Sequence, residues 1–583
     1  MRKIYYICNV NANITAMKPL PFLLSAFLLI CLTSTAQIAV RELPDPHPSD
    51  ARAWEGVRNL RFGWGNIDTR YKKDEVPVLA GKIALYGWRG ERVCAQAVLA
   101  APKAVRSFRV RAGSLKSGKN MIPSSAVTPY FETYVMGEVE FQGDSVLCAD
   151  RLVVAGERDM AVEDRTVRPV WVNINIPKDA SPGKYKGTLL ADCDGVSFSI
   201  PYVLEVGRHT LPQPREWSFH LDLWQNPFAA ARYFGVPLWS QEHFDHMRPI
   251  MEYLASAGQK VITTSIFQHP WNCQTQDPFE SMVGKFKGID GSWKYDYTVF
   301  DRWVEFMMSC GITEQIDCYT VLPWHLTFEY YDGADNCTHV KEMTPGTKEY
   351  EDYLLPFLTD FAAHLKSKGW FGKTCIAMDE RPKDLLEHAY DIVHRAEPRF
   401  RIKGAINYFG PEVAERMYDI SFAFREPPLT SAQLESHLSK GNRVTFYTCC
   451  SPMHPNTFID SNPAESAVMG WHAAALGYNG YLRWAYNSWV TDPCTDARFR
   501  TWKAGDCFLV YPDGPSIRME RLIEGIQAYE KIRILRKEIT PGKAALLDAQ
   551  LKKFLDFNWS EFTDAQACAL VNESRALLRT LEK

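Results

Sequence analysis

Residues 375–397 read CIAMDERPKDLLEHAYDIVHRAE. The first four residues are apolar and predict a buried strand at 375–378, which ends in the acidic pair Asp379-Glu380. Pro382 suits the first turn of a helix, and apolar residues at helical spacing predict that this helix covers 383–397. A strand followed at once by an amphipathic helix is the repeating unit of a parallel α/β fold.

The same alternation of apolar runs and amphipathic helices extends over residues 215–540. The apolar runs predict eight strands, at 219–223, 261–266, 314–319, 375–378, 403–408, 420–424, 443–447 and 480–484. Eight strand–helix units over roughly 320 residues fit a (β/α)8 TIM barrel with enlarged loops. A doubly wound open sheet is the alternative, although the sequence lacks the dinucleotide fingerprint that often marks that fold.

The flanking segments follow other patterns, so the fold class is multidomain β plus α/β. Segment 37–210 contains short strands, several of them alternating apolar and polar residues, separated by turns such as Asp194-Gly195. This pattern predicts a β-sandwich, and Leu211-Pro212-Gln213-Pro214 predicts a stiff linker after it. Segment 541–583 predicts a short C-terminal helical tail that packs on the barrel.

Residues 1–36 are interpreted as a secretory signal peptide. The apolar run PLPFLLSAFLLIC (19–31) follows Lys18 and precedes the small residues Ser34-Thr35-Ala36. It is shorter than the roughly 20 residues that a bilayer requires. Met17 stands where such a signal normally begins, so the numbered start is expected to be over-extended. We therefore expect a secreted, periplasmic protein without a membrane span, and bulky Ile30 disfavours a lipid anchor on Cys31.

Composition excludes several classes of function. The 66 basic residues balance 69 acidic ones without a block of like charge, which argues against nucleic-acid binding. The sequence has no CxxC pair, no HExxH and no glycine-rich phosphate loop, so neither a metal nor another cofactor is expected. Aromatic residues make up 13% of the chain. That content makes a sugar-binding surface worth considering, because ligand pockets are lined mainly by apolar and aromatic side chains.

In a TIM barrel the functional residues lie at the carboxyl ends of the strands. Here those ends carry polar and aromatic side chains suited to a sugar: Asp222, Trp224, His269, Trp271, Trp324, His325, Asn407, Tyr408, Tyr447, Trp484 and Trp489. Each of them alone is more often a core or rim residue than a ligand contact. Together they predict a pocket for a sugar ring.

The pair Asp379-Glu380 is the sharpest chemical feature. A second Asp-Glu pair, Asp74-Glu75, lies in a lysine-rich turn, whereas Asp379 and Glu380 end a predicted barrel strand. Ordinary retaining glycosidases place two carboxylates roughly 5 Å apart across the scissile bond, which neighbours on one strand cannot easily do. Adjacent acids fit a reaction in which the substrate's own acetamido oxygen attacks the anomeric carbon. One carboxylate then orients the acetamido N–H and the other protonates the leaving oxygen.

Three segments carry a resemblance to a known family: IAMDERP (376–382), GYLRWAYNSW (480–489) and GDCFLVYPDGPSIRMERLIEGIQAYE (505–530). With them the chain resembles glycoside hydrolase family 123, β-N-acetylgalactosaminidases that have an N-terminal β-sandwich and a (β/α)8 catalytic domain. The resemblance implies that Glu380 is the general acid/base and Asp379 the acetamido-orienting carboxylate. It implies retention of configuration and a substrate with terminal β-GalNAc, on a glycosphingolipid or glycoprotein oligosaccharide. Cys507 departs from the family's apparent Gly-Asp-Gly pattern.

Secondary roles and rival functions stay open at this point. Tyr447 is the candidate donor to the acetamido oxygen and Trp484 the candidate wall around its methyl group, with Asn407 and Tyr408 as alternatives. Asp222 is the candidate contact to the axial 4-hydroxyl. Family 20 hexosaminidases use the same adjacent acids, so a β-N-acetylglucosaminidase is the nearest rival. A conventional double-displacement glycosidase and a non-catalytic carbohydrate-binding protein are the others.

Overall fold

A computed structural model describes residues 40–48, 51–157 and 159–582 of the protein. The predicted signal peptide at 1–36 lies outside the described residues. Within them, no helix combines the length and the apolar character that crossing a membrane demands.

The N-terminal region consists of strands that form two sheets. In the described residues these strands are β1 (Arg61–Trp64), β2 (Ile83–Arg89), β3 (Arg92–Ala101), β4 (Val105–Ala112), β5 (Leu115–Ser117), β6 (Asn120–Ile122), β7 (Val127–Glu138), β8 (Ser145–Val154), β9 (Met160–Val162), β10 (Thr166–Asn175), β11 (Gly183–Cys193) and β12 (Val196–Thr210). One sheet has the order β1-β3-β10-β7-β8. The other has the order β2-β12-β11-β4-β9, and β5 and β6 extend it beside β11.

The two sheets share one apolar core, which confirms the predicted β-sandwich. Phe62 of β1 lies against Phe108 of β4 with 5.9 Å between the ring centroids, and both rings belong to this core. Asp194-Gly195 connects β11 to β12 with φ angles of 50° and 88°. Two left-handed residues in a tight hairpin give the turn a twist that matches the flanking strands.

The rest of the chain alternates strands and helices. Its strands in the described residues are β13 (His220–Leu223), β14 (Val261–Ser265), β15 (Gly284–Lys287), β16 (Trp293–Asp296), β17 (Gln315–Tyr319), β18 (Thr327–Asp332), β19 (Cys337–Glu342), β20 (Thr374–Met378), β21 (Arg401–Ile406), β22 (Asp419–Ala423), β23 (Arg443–Tyr447) and β24 (Gly480–Arg483). Its α-helices are α1 (Pro227–Phe234), α2 (Gln241–Ser256), α3 (Thr298–Ser309), α4 (Lys348–Ser367), α5 (Lys383–Ala396), α6 (Pro411–Ala414), α7 (Ser431–Ser439), α8 (Pro463–Leu476), α9 (Ile517–Leu535), α10 (Pro541–Asp556) and α11 (Asp564–Leu581).

Eight of these strands form a parallel barrel in the order β13-β24-β23-β22-β21-β20-β17-β14. The two end strands of this sheet meet at a parallel bridge between Leu221 and Gln259, which nearly closes the barrel. All eight predicted strands are present, with ends within two residues of the expected positions. The (β/α)8 prediction is therefore confirmed, and the open-sheet alternative is wrong.

The enlarged loops of the barrel contain a small sheet that the sequence analysis did not anticipate. Its order is β16-β15-β18-β19, and its strands come from the loops that follow β14 and β17. Much of β19 is exposed, so these strands lack the continuous apolar runs that identify the buried strands of a parallel barrel.

The barrel interior holds a buried ionic cluster around Lys403 of β21. Its ammonium nitrogen lies 2.6 Å from Asp317 Oδ2, contacts Asp222, and lies 3.7 Å from Asp419 Oδ2. His220 Nε2 lies 3.0 Å from the same oxygen of Asp419. Burial opposes a charged lysine, but the three carboxylates hold the pKa of Lys403 well above its usual value. The cluster joins strands from different parts of the barrel.

The segment 505–530 joins the barrel to the sandwich. Asp150 on β8 accepts hydrogen bonds from Arg518 Nε at 2.9 Å and from the Tyr511 hydroxyl at 2.7 Å. Arg151 binds the Asp513 carboxylate through two nitrogens, at 3.0 and 2.5 Å. The polar residues of this segment therefore serve the contact between the two folds.

The helical tail packs against the last barrel helices. Trp471 of α8 stacks on Phe554 of α10 with a centroid distance of 5.5 Å. Helices α8 and α9 approach closely, since a Cβ on Gly470 would lie 2.0 Å from the carbonyl oxygen of Gly525. At its far end α11 reaches the sandwich, where Arg579 Nη2 lies 2.6 Å from Glu205 Oε2.

Candidate active site

A cavity opens at the carboxyl ends of the barrel strands, the place where a TIM barrel has its functional residues. Side chains from seven of the eight barrel strands and the loops that follow them line it. They are Trp224, Trp271, Gln274, Trp324, Asp379, Glu380, Ala405, Tyr447, Cys449, Cys450, Leu482, Trp484, Trp502 and Asp506.

Asp379 and Glu380 both line this cavity, directly after β20. Trp324, which follows β17, donates its indole N–H to Asp379 Oδ2 at 3.1 Å. Asn407, just after β21, donates its amide to Glu380 Oε2 at 3.0 Å. The hydroxyl of Tyr447, the last residue of β23, donates to Glu380 Oε1. Donors from three other strand ends thus hold the two adjacent carboxylates.

The cavity changes the acidity of the groups that line it. Burial, and then repulsion by the Glu380 carboxylate, raises the pKa of Asp379 to about 7. Hydrogen bonds from the Glu380 backbone and from Trp324 oppose this shift only in part. Burial and the charge of Glu380 also raise the pKa of Tyr447 far above its usual value. Tyr447 therefore stays a proton donor at neutral pH, while Asp379 is poised to gain or lose a proton.

Two groups of aromatic rings form the walls of the cavity. On one side Trp224 stacks on Trp271 at 4.9 Å between centroids, and both rings pack on Tyr319. On the other side Trp484 meets Trp502 edge-on at 6.0 Å. Apolar walls with a few directed polar groups are typical of a site for a small organic ligand.

Trp484 is held in place by a buried ion pair. Its indole N–H donates to Asp506 Oδ1 at 2.9 Å, and Arg483 Nη2 lies 2.8 Å from the same oxygen. The same guanidinium donates to Thr448 Oγ1 at 3.1 Å and to Asn456 Oδ1 at 2.9 Å. Arg483 thereby ties the end of β24 to the segment after β23.

Most of the predicted site residues meet in this cavity. Asp379, Glu380, Trp224, Trp324, Tyr447 and Trp484 line it, and Asn407 contacts Glu380. The wall residue Trp271 had also been noted at a strand end.

Three residues predicted as substrate contacts, Asp222, Tyr408 and Trp489, lie outside the lining of this cavity. Asp222 points into the barrel, where its carboxylate contacts the Lys403 ammonium. Trp489 is fully buried and donates its indole N–H to the Val510 carbonyl at 2.8 Å. The Tyr408 hydroxyl is buried without a hydrogen-bond partner in the described part of the chain.

Several lining residues were not predicted. Cys449 and Cys450 follow Tyr447 so closely that the end of β23 could have suggested them. Asp506 lies in the segment that carried the family resemblance, but no strand end marks it. Gln274 and Trp502 lie on long loops without a motif. Among the described residues no group of three or more His, Cys, Asp or Glu is arranged to hold a metal ion.

The fold and the cavity together define a class of protein: a TIM-barrel enzyme with paired carboxylates in an aromatic pocket. The chain belongs to glycoside hydrolase family 123. The model described as "Glycoside hydrolase 123, catalytic domain" matches residues 224–535, and "Glycoside hydrolase 123 N-terminal domain" matches 64–192. The protein is accordingly a glycoside hydrolase that acts on glycans.

A solved structure of the same family supports the fold. A family 123 glycoside hydrolase from Clostridium perfringens is 23% identical, with a TM-score of 0.83 over 90% of this chain and 98% of that one. A GH10 xylanase with a bacterial Ig-like domain, from termite gut, is 11% identical, covers 78% of this chain and 100% of its own, and has a TM-score of only 0.32. A comparison with curated proteins gives no match.

The raised pKa of Asp379 predicts that Asp379→Asn stabilises the fold in a pH-dependent way. From about pH 4 to pH 7 the unfolded chain loses this proton before the folded protein does, so wild-type stability falls over that window. Asparagine does not ionise. The variant should match wild type at about pH 4 and exceed it at about pH 8 by on the order of 2 kcal/mol, after allowance for screening by water in the cavity.

Denaturant unfolding at both pH values measures this difference. The control is Asp384→Asn, on the exposed first turn of α5, which should stay within about 0.5 kcal/mol of wild type at both pH values, as exposed substitutions usually do. If Asp379→Asn is less stable than wild type at pH 8, the destabilising effect that we assign to the ionised Asp379 carboxylate is contradicted.

Proposed function

We propose that the protein is an exo-acting, retaining β-N-acetylgalactosaminidase that hydrolyses terminal β-GalNAc from glycoconjugate oligosaccharides. The observation that carries this proposal is that the adjacent residues Asp379 and Glu380 line one cavity. Two neighbouring side chains on one strand end cannot easily flank a glycosidic bond as the acid and nucleophile of ordinary retaining enzymes do. They are well placed to assist a nucleophile that belongs to the substrate.

In this mechanism the acetamido oxygen attacks the anomeric carbon. Glu380 gives its proton to the glycosidic oxygen, the C–O bond breaks, and the aglycone leaves. The sugar closes into an oxazolinium ring that carries the positive charge. Glu380, now a carboxylate, takes a proton from water, whose oxygen attacks the anomeric carbon from the face that the aglycone left. Two inversions give net retention.

Asp379 is the residue that orients the acetamido group. Its carboxylate accepts the acetamido N–H and stabilises the positive charge that develops there. A hydrogen bond from the substrate favours the ionised form of Asp379, which burial and the charge of Glu380 disfavour. Trp324 fixes the carboxylate through its indole N–H. Substrate binding therefore supplies a hydrogen bond that stabilises the ionised carboxylate of Asp379.

Tyr447 and Asn407 position Glu380, to which both donate hydrogen bonds. The Tyr447 hydroxyl is also our candidate donor to the acetamido oxygen, and Trp484 our candidate wall around its methyl group. The stacked pair Trp224 and Trp271 offers a flat apolar face for the sugar ring.

The substrate class and the location of the enzyme are parts of the same proposal. The published analysis of the C. perfringens family 123 enzyme concerns glycolipid glycan hydrolysis, which supports a glycosphingolipid substrate here, with glycoprotein oligosaccharides as the alternative. The predicted signal peptide supports secretion into the periplasm. β-N-acetylglucosaminidase activity is the second candidate function, because the adjacent acids serve either sugar.

Substitution of the two acids tests the mechanism. We expect Glu380→Gln and Asp379→Asn each to lower kcat by roughly 10²–10⁴-fold on an oligosaccharide substrate. On a 4-nitrophenyl glycoside the loss for Glu380→Gln should be smaller, because nitrophenolate leaves without protonation. The loss for Asp379→Asn should persist on both substrates, since ring closure is needed in each case.

The matched controls are Asp384→Asn and Glu387→Gln, exposed acids on α5, which should keep wild-type rates. Wild-type rates in both cavity variants would exclude the mechanism, whereas no turnover by the wild-type protein itself would favour a carbohydrate-binding protein.

A panel of 4-nitrophenyl glycosides tests the specificity. We expect turnover of the β-GalNAc glycoside, slower turnover of the β-GlcNAc glycoside, and essentially none of the β-galactoside, which lacks the acetamido nucleophile. Initial rates at matched concentrations give the comparison. A preference for GlcNAc would shift the assignment to the second candidate, and equal turnover of the β-galactoside would favour conventional double displacement.

Tyr447→Phe tests the hydroxyl that contacts Glu380. We expect kcat/KM to fall by roughly 10²-fold, the scale found when one donor of a catalytic site is removed. Tyr408→Phe is the matched control, because that hydroxyl makes no hydrogen bond to a described residue and Tyr408 does not line the cavity. Equal losses in the two variants would contradict the assigned role of Tyr447.

A further inference from the structure

Two adjacent cysteines lie in the wall of the catalytic cavity. Cys449 and Cys450 both line it, and their sulfur atoms are 3.9 Å apart. Cys450 is exposed, whereas Cys449 is half-buried and its thiol also lies 3.7 Å from the Ser451 carbonyl oxygen. Neither thiol has a part in the proposed hydrolysis.

We propose that this pair is a thiol-modification site in which Cys450 captures a small disulfide, such as oxidised glutathione, and Cys449 then expels the captured thiol. The product is a disulfide between the two neighbours. The inference goes beyond the proposed function and does not depend on which sugar the enzyme hydrolyses.

The exchange proceeds in two balanced steps. The Cys450 thiolate attacks one sulfur of oxidised glutathione, whose S–S bond breaks, and one glutathione leaves as a thiolate that takes up a proton. The Cys449 thiolate then attacks Cys450 Sγ, and the second glutathione leaves in the same way. Two cysteine thiols are oxidised, and one small disulfide is reduced to two thiols.

The surroundings of the two sulfurs set this order. A hydrogen bond from the Cys449 thiol lowers the pKa of Cys450, although burial and the charge of Asp506 oppose the shift. The same hydrogen bond, followed by burial, raises the pKa of Cys449. The more exposed thiol is therefore the better initial nucleophile. Cys449 is close enough to resolve the adduct with a movement of about 2 Å, since a disulfide joins its sulfurs at roughly 2.05 Å.

Adjacency makes the product reversible. Neighbouring Cα atoms are about 3.8 Å apart, below the roughly 4.4–6.8 Å that relaxed disulfides span. A strained and exposed disulfide is readily reduced by small thiols. The glutathione adduct on Cys450 should block the cavity more than the disulfide does, because the glutathione would lie in the cavity beside Glu380 and Trp484. Cys449 would clear that blockage.

Mass spectrometry of the full-length protein tests the proposal without any substrate. Reduced protein is incubated with oxidised glutathione, quenched with an alkylating reagent at successive times, and digested. In wild type we expect a transient glutathione adduct on Cys450, followed by a peptide that has lost two hydrogens between residues 449 and 450. In Cys449→Ser the adduct should persist, and in Cys450→Ser the remaining thiol should react much more slowly.

Activity gives a second readout. Glutathione-treated Cys449→Ser should lose roughly tenfold or more of its own untreated kcat/KM and recover it with dithiothreitol, whereas treated wild type should lose less. Cys337→Ser, which removes an exposed cysteine on β19, should behave as wild type in both assays. The proposal is overturned if wild type forms no 449–450 disulfide, or if the adduct on Cys450 persists equally with and without Cys449. The masses remain decisive even if none of the tested glycosides is hydrolysed.

Discussion

Two like charges on neighbouring residues must share one partly dry cavity. The surrounding strands provide hydrogen-bond donors that make this arrangement possible. An isolated pair of buried carboxylates is costly, because each opposes the ionisation of the other. Here a donor from the end of β17 reaches Asp379, and donors from β21 and β23 reach Glu380. The barrel, in which parallel strands end at one rim, brings these three donors around the fourth strand.

The barrel itself was predictable for a physical reason. Its strands are buried on both faces, so each one, like Thr374–Met378, is a short run of apolar residues that stands out between amphipathic helices. The small sheet of β15, β16, β18 and β19 lacks that signal, because solvent covers much of it. The sequence predicts a strand where burial requires a run of apolar residues, and the strands of the small loop sheet have few such runs.

The site was predictable where the strand end alone fixes a side chain. Asp379, Glu380 and Tyr447 follow directly from their strands. Asp222 shows the limit of this reasoning, because within a strand successive side chains face opposite sides and the sequence does not reveal which side faces the cavity. Asp506 shows the complementary limit: no strand precedes it, and its place beside Trp484 depends on a long loop.

The family-like segment 505–530 combines two kinds of residue. Asp506 lines the cavity, while Tyr511, Asp513 and Arg518 bind Asp150 and Arg151 of the sandwich. Removal of one partner from such a buried pair leaves an uncompensated charge, so these residues are constrained as strongly as catalytic ones. A shared motif therefore identifies a family, but it does not distinguish residues that line the cavity from residues that hold the two folds together.

The ionic cluster under the cavity connects the barrel interior to the site. Trp224, which forms part of one wall, donates its indole N–H to Asp222 Oδ2 at 3.3 Å, and Asp222 is bound in turn by Lys403. Burial raises the pKa of Asp317 to about 7, although the ammonium group opposes the shift. The Lys403 ammonium therefore holds the carboxylate that fixes Trp224 in the wall of the cavity. The aromatic wall and the buried ionic cluster depend on the same residues, so the packing of the barrel interior also sets the shape of the site.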